Sequence, residues 1–147
     1  MTMAGRQEVR LEVADGPRRL EAWARPVGSD LVVVVGGGEL PHVGCVVLTQ
    51  ARRSTADPGR TSVTSSVLTI PPHKEEPVAR AIAERLARAL ECVVVVTAGV
   101  HEDGLDTAGA DTYVRLAATL GDKLAPLIAA QAPPEARPPV SSEPGVV

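Results

Sequence analysis

His42, His73 and His101 are the three histidines of this chain. Each sits in a turn at the end of an apolar run. His42 lies in Gly36-Gly37-Gly38-Glu39-Leu40-Pro41-His42-Val43-Gly44, His73 in Pro71-Pro72-His73-Lys74-Glu75, and His101 in Ala98-Gly99-Val100-His101-Glu102-Asp103. Imidazole changes charge near neutral pH and is the commonest metal ligand. Gathered by a fold, the three would suit acid–base chemistry, a metal ion or an anionic ligand. Their spacing matches no compact zinc motif, so a metal on His42, His73 and His101, with Asp103 beside them, would have to be assembled in three dimensions.

His73-Lys74 stands where a helix pattern begins, and that end of a helix attracts anions. Lys74 adds a compact positive charge. Phosphate or carboxylate binding is expected there, with Ser65, Ser66 and Thr69 on the preceding run as hydroxyl donors. An ordinary solvated cap is the plainer reading. The glycine triplet is not a dinucleotide fingerprint, because Pro41 intervenes and a strand follows where a helix should open. Nor does a Gly-Lys-Ser/Thr end it as in a P-loop. A turn needing positive φ would explain one glycine. Three also let a ligand approach the backbone closely, and Gly36, Gly37 and Gly38 could form an anion nest. Glu39 would then hold His42 or accept a hydrogen bond from the ligand. There is no Gly-x-Ser-x-Gly elbow, no His-Glu-x-x-His and no cysteine with an obvious base, so no nucleophile can be named. Arg52, Arg53 and Arg60 fall in a polar stretch and read as solvated, or as contacts for an acidic partner.

Composition narrows the classes. The 147 residues suit one domain with a real core. Fifteen Lys and Arg against 18 Asp and Glu give a net charge of −3, which argues against nonspecific nucleic-acid binding. Trp23 and Tyr113 are the whole aromatic complement, too few for a base-stacking surface. Cys45 and Cys92 each lie in an apolar run, where a free thiol behaves as a small hydrophobe. A disulfide or metal role is the alternative. No signal segment or membrane span is evident, so a reducing cytoplasm is expected.

The elements that must position these residues follow from periodicity. Val9, Leu11 and Val13 alternate with charged residues, as do Leu20, Ala22 and Ala24 after an Asp15-Gly16-Pro17 turn, giving a hairpin. Leu31 to Val35 is a continuous apolar run, expected to be buried on both faces. Val43 to Leu48 and Ser62 to Ile70 are further strands, with residues 51–61 an exposed loop between them. Five strands with short connections point to an antiparallel meander. Val78, Ile82, Leu86 and Leu90 mark a first helix, with Pro77 in its first turn and Glu75 and Glu76 at its positive end. Cys92 to Val96 is a sixth strand. A polar loop from Gly99 to Gly109 leads to a second helix over 110–130, with a kink or break expected near Gly121 and Pro126. From Ala132 on, the proline-rich composition predicts a disordered or extended tail. The sum is one α+β domain over 7–131: an antiparallel six-stranded sheet with two helices on one face.

Three segments together resemble the prenylated-flavin chaperone family, the LpdD-like small subunits associated with UbiD-type decarboxylases. They are Gly-Gly-Gly-Glu-x-Pro-His-x-Gly at 36–44, Ser-Val-Leu-Thr-Ile-Pro-Pro-His-Lys-Glu-Glu at 66–76, and Val-Val-Thr-Ala-Gly-Val-His-Glu-Asp at 95–103. The likeness spans about residues 8–130. It implies a fold similar to the proteasome assembly chaperones. It also implies a homodimer that is not an enzyme, and that carries prenylated FMN, or FMN, to an apo UbiD-type decarboxylase. The family's ligand positions carry to Gly36, Gly37, Gly38, Glu39, His42, His73, Lys74 and His101. Pro72 stands where the family more usually has glycine, which removes a backbone donor beside the expected phosphate. Two other readings remain open: a small metal-dependent enzyme built on the three histidines, and a ligand-free assembly factor that clamps a partner enzyme.

Overall fold

A computed structural model describes residues 5–72 and 74–131. The tail expected from Ala132 on, and His73, lie outside the described residues. Six strands and two helices follow in the order β1 Val9–Asp15, β2 Arg18–Val27, β3 Asp30–Gly38, β4 Cys45–Arg53, β5 Thr61–Thr69, α1 Glu76–Leu90, β6 Val93–His101 and α2 Thr107–Ala129.

The strands form one sheet in the order β1-β2-β3-β6-β4-β5. It is mixed rather than antiparallel. The last strand enters between β3 and β4, parallel to β3 and antiparallel to β4. A parallel neighbour needs a long crossover, and α1 supplies one. Because β6 fills the gap, the short segment 39–44 must cross its end to join β3 to β4.

Both helices lie on one face. On that face Leu20, Ala22, Ala24, Leu31, Val33, Val35, Val47, Val94, Val96 and Ala98 are buried, and they meet Ile82, Leu86, Leu90, Leu120, Leu124 and Ile128 from the helices. Fully burying one such aliphatic side chain stabilises by about 1.5–3 kcal/mol. The other face is open. The run Leu31–Val35 is therefore buried on one side only: Val33 is 0% exposed and Val34 is 45% exposed.

The second helix runs unbroken through Gly121 and Pro126. Gly121 lies at the helix crossing, where a Cβ would sit 3.2 Å from Arg85 Cβ, so its small size serves packing. Pro126 falls in the last turn, so the one backbone donor it removes lies close to the end of the helix. The helix also starts earlier than its apolar stripe suggests. Asp106 caps it, accepting a hydrogen bond from the Gly109 amide at 2.7 Å. Strand β4 continues through Arg53, which shortens the polar loop to residues 54–60.

Candidate functional site

The rim where β3 and β6 end gathers most of the singled-out residues. Gly38 and His101 are paired as the last residues of their strands, so His101 closes a strand instead of lying in a loop. The Glu39 amide donates to the His101 carbonyl at 2.6 Å. His101 Nε2 lies 2.9 Å from Asp103 Oδ1, and the Asp103 amide donates to Glu39 Oε2 at 3.4 Å. Glu39, His101 and Asp103 thus form one exposed cluster.

His42 sits on the crossing segment. Its Nε2 is 2.8 Å from Glu75 Oε1 and its Nδ1 is 3.1 Å from the Leu40 carbonyl. Both ring nitrogens face oxygen atoms. Sequence reasoning gave Glu75 to the positive end of α1 and missed its partners. Glu75 is at the N-cap of α1 but makes no side-chain cap. Its carboxylate turns inward, is 8% exposed, and accepts from the Val100 amide at 3.3 Å as well as from His42. One buried acid thereby holds the crossing segment, β6 and α1 together.

The glycines are explained mainly by this crossing. A Cβ on Gly99 would fall inside the His42 carbonyl, and one on Gly38 would fall inside that of His101. Gly38 also has a φ of +70°, which disfavours any side chain. A Cβ on Gly37 would lie 2.6 Å from the Arg19 carbonyl, and one on Gly44 2.6 Å from Glu75 Oε2. Gly36 is the member of the triplet on the open face, with Pro41 folded against it.

The hydroxyls divide by strand alternation. Ser65 points to the helix side, where its Oγ is 2.8 Å from buried Thr49 Oγ1 and 3.2 Å from Glu84 Oε1. Glu84 accepts from Arg80, which also binds Glu76, so Ser65 belongs to a network stitching β4, β5 and α1. Ser66 is exposed on the opposite face, and Lys74 is exposed before α1.

Among the described residues, no group of three or more His, Cys, Asp or Glu is placed to hold a metal. His42 is turned to Glu75 and His101 to Asp103. The expected metal on His42, His73 and His101 gains no support. Cys45 and Cys92 are free and buried, and burial pushes both thiols up to about 11, so they are packing groups and poor nucleophiles.

Beneath the rim, Arg18 grips Glu102 with two hydrogen bonds, 3.1 and 2.8 Å, and Tyr113 donates to Glu102 at 2.7 Å. The hydrogen bond from Arg18, then that from Tyr113, holds the Glu102 carboxyl below its ordinary range. Burial and the same contact push Tyr113 up to about 12. Arg18 was not singled out from sequence. This latch ties the β1–β2 turn to α2, just behind the Glu39–Asp103 cluster.

On the open face beside Gly38 lies a hollow of about 420 Å³ between β1, β2, β3 and Pro41. Trp23 and Val34 form its apolar side. The Arg10 guanidinium stands 4.8 Å from the indole centroid.

This architecture is shared with a solved structure. The "Novel Chaperone Complex for Yeast 20S Proteasome Assembly" contains a chain that superposes with a TM-score of 0.55 at 13% identity, covering 83% of this chain and 96% of that one. The fold is therefore that of a proteasome assembly chaperone. The model of the prenylated flavin chaperone LpdD-like domain matches residues 14–129. The chain belongs to that family. No curated protein matches it closely enough to be named as a relative. Among the described residues no helix is long and apolar enough to cross a membrane.

Proposed function

We propose that this chain is a non-catalytic carrier that binds prenylated FMN and delivers it, in the cytoplasm, to an apo UbiD-type decarboxylase. The observation that carries this reading is membership of the prenylated flavin chaperone family across 14–129. The geometry supports it. Glycine-lined backbone, Glu39, His42, Lys74 and His101 all belong to segments that meet or lead to the strand-end rim, and a 420 Å³ hollow adjoins it. An open site of this kind suits a protein that must release what it binds.

The carrier works as a homodimer in this reading. Val34, Leu48, Leu68 and Ile70 are 45%, 45%, 75% and 52% exposed, and all lie on or beside the open sheet face. Such a contiguous apolar face marks an association surface. Its β4–β5 half is free of the hollow and is the half we assign to the second copy.

Anaerobic gel filtration with reduced prenylated FMN tests both statements. The flavin should co-elute at one per chain, at twice the 15.3 kDa mass of the chain. Elution without flavin would rule out the carrier reading and favour the ligand-free assembly factor. Elution at the single-chain mass would remove the dimer.

A further inference from the structure

We infer that the flavin ring of the cargo docks in the hollow on β1–β3, against Trp23, with Arg19 taking the phosphate. This rests on the carrier reading above and adds Trp23 and Arg19, which lie outside the histidine segments.

The hollow arises from a missing side chain. Along β3 the open face carries Val32, Val34 and Gly36 in turn. Gly36 puts no side chain on the sheet surface beside Glu21, its partner on β2, and Pro41 folds against it there. What is left is a shallow floor about 420 Å³ in extent, within the range of ligand sites. Trp23 pairs with Val34 across β2 and β3, and Pro41 closes the far side. A planar, partly apolar ring fits between an indole, a valine and a proline.

The chemistry around the floor suits the rest of a flavin mononucleotide. Arg10 and Arg19 are the cations of the hollow, and Glu12 and Glu21 its acids. Arg19 precedes Leu20, the partner of Gly37, and lines the hollow with the glycines. Its ion pair with Glu12 is loose, at 3.7 Å, with side chains 60% and 50% exposed. A pair so exposed holds weakly, leaving the guanidinium available to a phosphate, which it can bind through two hydrogen bonds. Arg10 stacks on the indole as a cation over a ring and would swing aside or cover the incoming ring. Glu12 and Glu21 can accept from ribityl hydroxyls or ring N–H groups.

The chain has a single tryptophan, so one indole N–H resonance reports on the floor. In ¹H–¹⁵N spectra of the full chain titrated anaerobically with reduced prenylated FMN, that resonance and the amides of Gly36, Gly37 and Gly38 should shift saturably. Trp23→Ala and Arg19→Ala should each weaken binding about tenfold, the loss expected for one stacked ring or one charge-assisted contact. Both side chains are exposed enough for the variants to keep the fold, which far-UV circular dichroism checks. Unchanged affinity in both variants, or shifts confined to Glu39, Lys74, His101 and Asp103, would overturn the placement and leave the carrier reading standing. Absence of any binding would overturn both.

Discussion

Replacing Gly99 by alanine is expected to cost about 3 kcal/mol of stability or more, the upper end of overpacking penalties. The reason is steric. The segment 39–44 passes over the end of β6 because β6 separates β3 from β4. It passes so closely that a Cβ on Gly99 would occupy the place of the His42 carbonyl. Backbone on both sides leaves nothing flexible to yield. Gly104 is the control. Its φ is +67°, yet a Cβ there meets nothing within 4 Å, so Gly104→Ala should cost only about 1–2 kcal/mol of backbone strain. Urea unfolding of the two variants decides. Equal costs would mean that the crossing is looser than described.

Glu75→Ala should be the most damaging change to a charged group, at roughly 2–3 kcal/mol. Removing one partner of a largely buried pair leaves the other without compensation. Here it would strip His42 Nε2 and the Val100 amide of one shared acceptor. The estimate sits below the full buried-pair penalty because the His42 side chain is 24% exposed. A loss of that size lowers the melting temperature by about 10 °C in a domain of this length. Glu75→Gln keeps an acceptor for Val100 and should lose less. Thermal unfolding that ranks the glutamine variant equal to alanine would show that charge alone, and not the shared acceptor, holds the segment.

These two residues show what could and could not be read from the chain. Alternation in β1 and β2 and the helical stripe Val78–Leu90 were legible, because strand and helix periods are local. The place of β6 was not. No local pattern says that a strand made after a helix will enter between two strands made earlier. Once it does, the glycines at 36, 38, 44 and 99 become consequences of a crossing, and Glu75 becomes a tie between segments. The continuous apolar run at Leu31–Val35 was read as doubly buried, whereas the helices cover one face only. Ser65 and Ser66 were grouped as donors, although strand alternation sends adjacent residues to opposite faces. The family segments remained legible throughout, since they are the three segments that the crossing brings to one rim. The early start of α2 also had a sequence signal in Asp106, an N-cap residue one position before its first helical residue.

The proposed function is one of holding and releasing. His42 and His101 each face a carboxylate, the thiols are buried, and the hollow is open to solvent. The central claim is delivery. Apo UbiD-type decarboxylase should be mixed anaerobically with this protein carrying one equivalent of reduced prenylated FMN, and in parallel with free cofactor at the same concentration. A flavin-binding scavenger protein should be present in both. Decarboxylase activity should appear from the loaded protein and be suppressed with free cofactor, because hand-over within a complex bypasses the scavenger. Equal suppression in both mixtures would contradict the account.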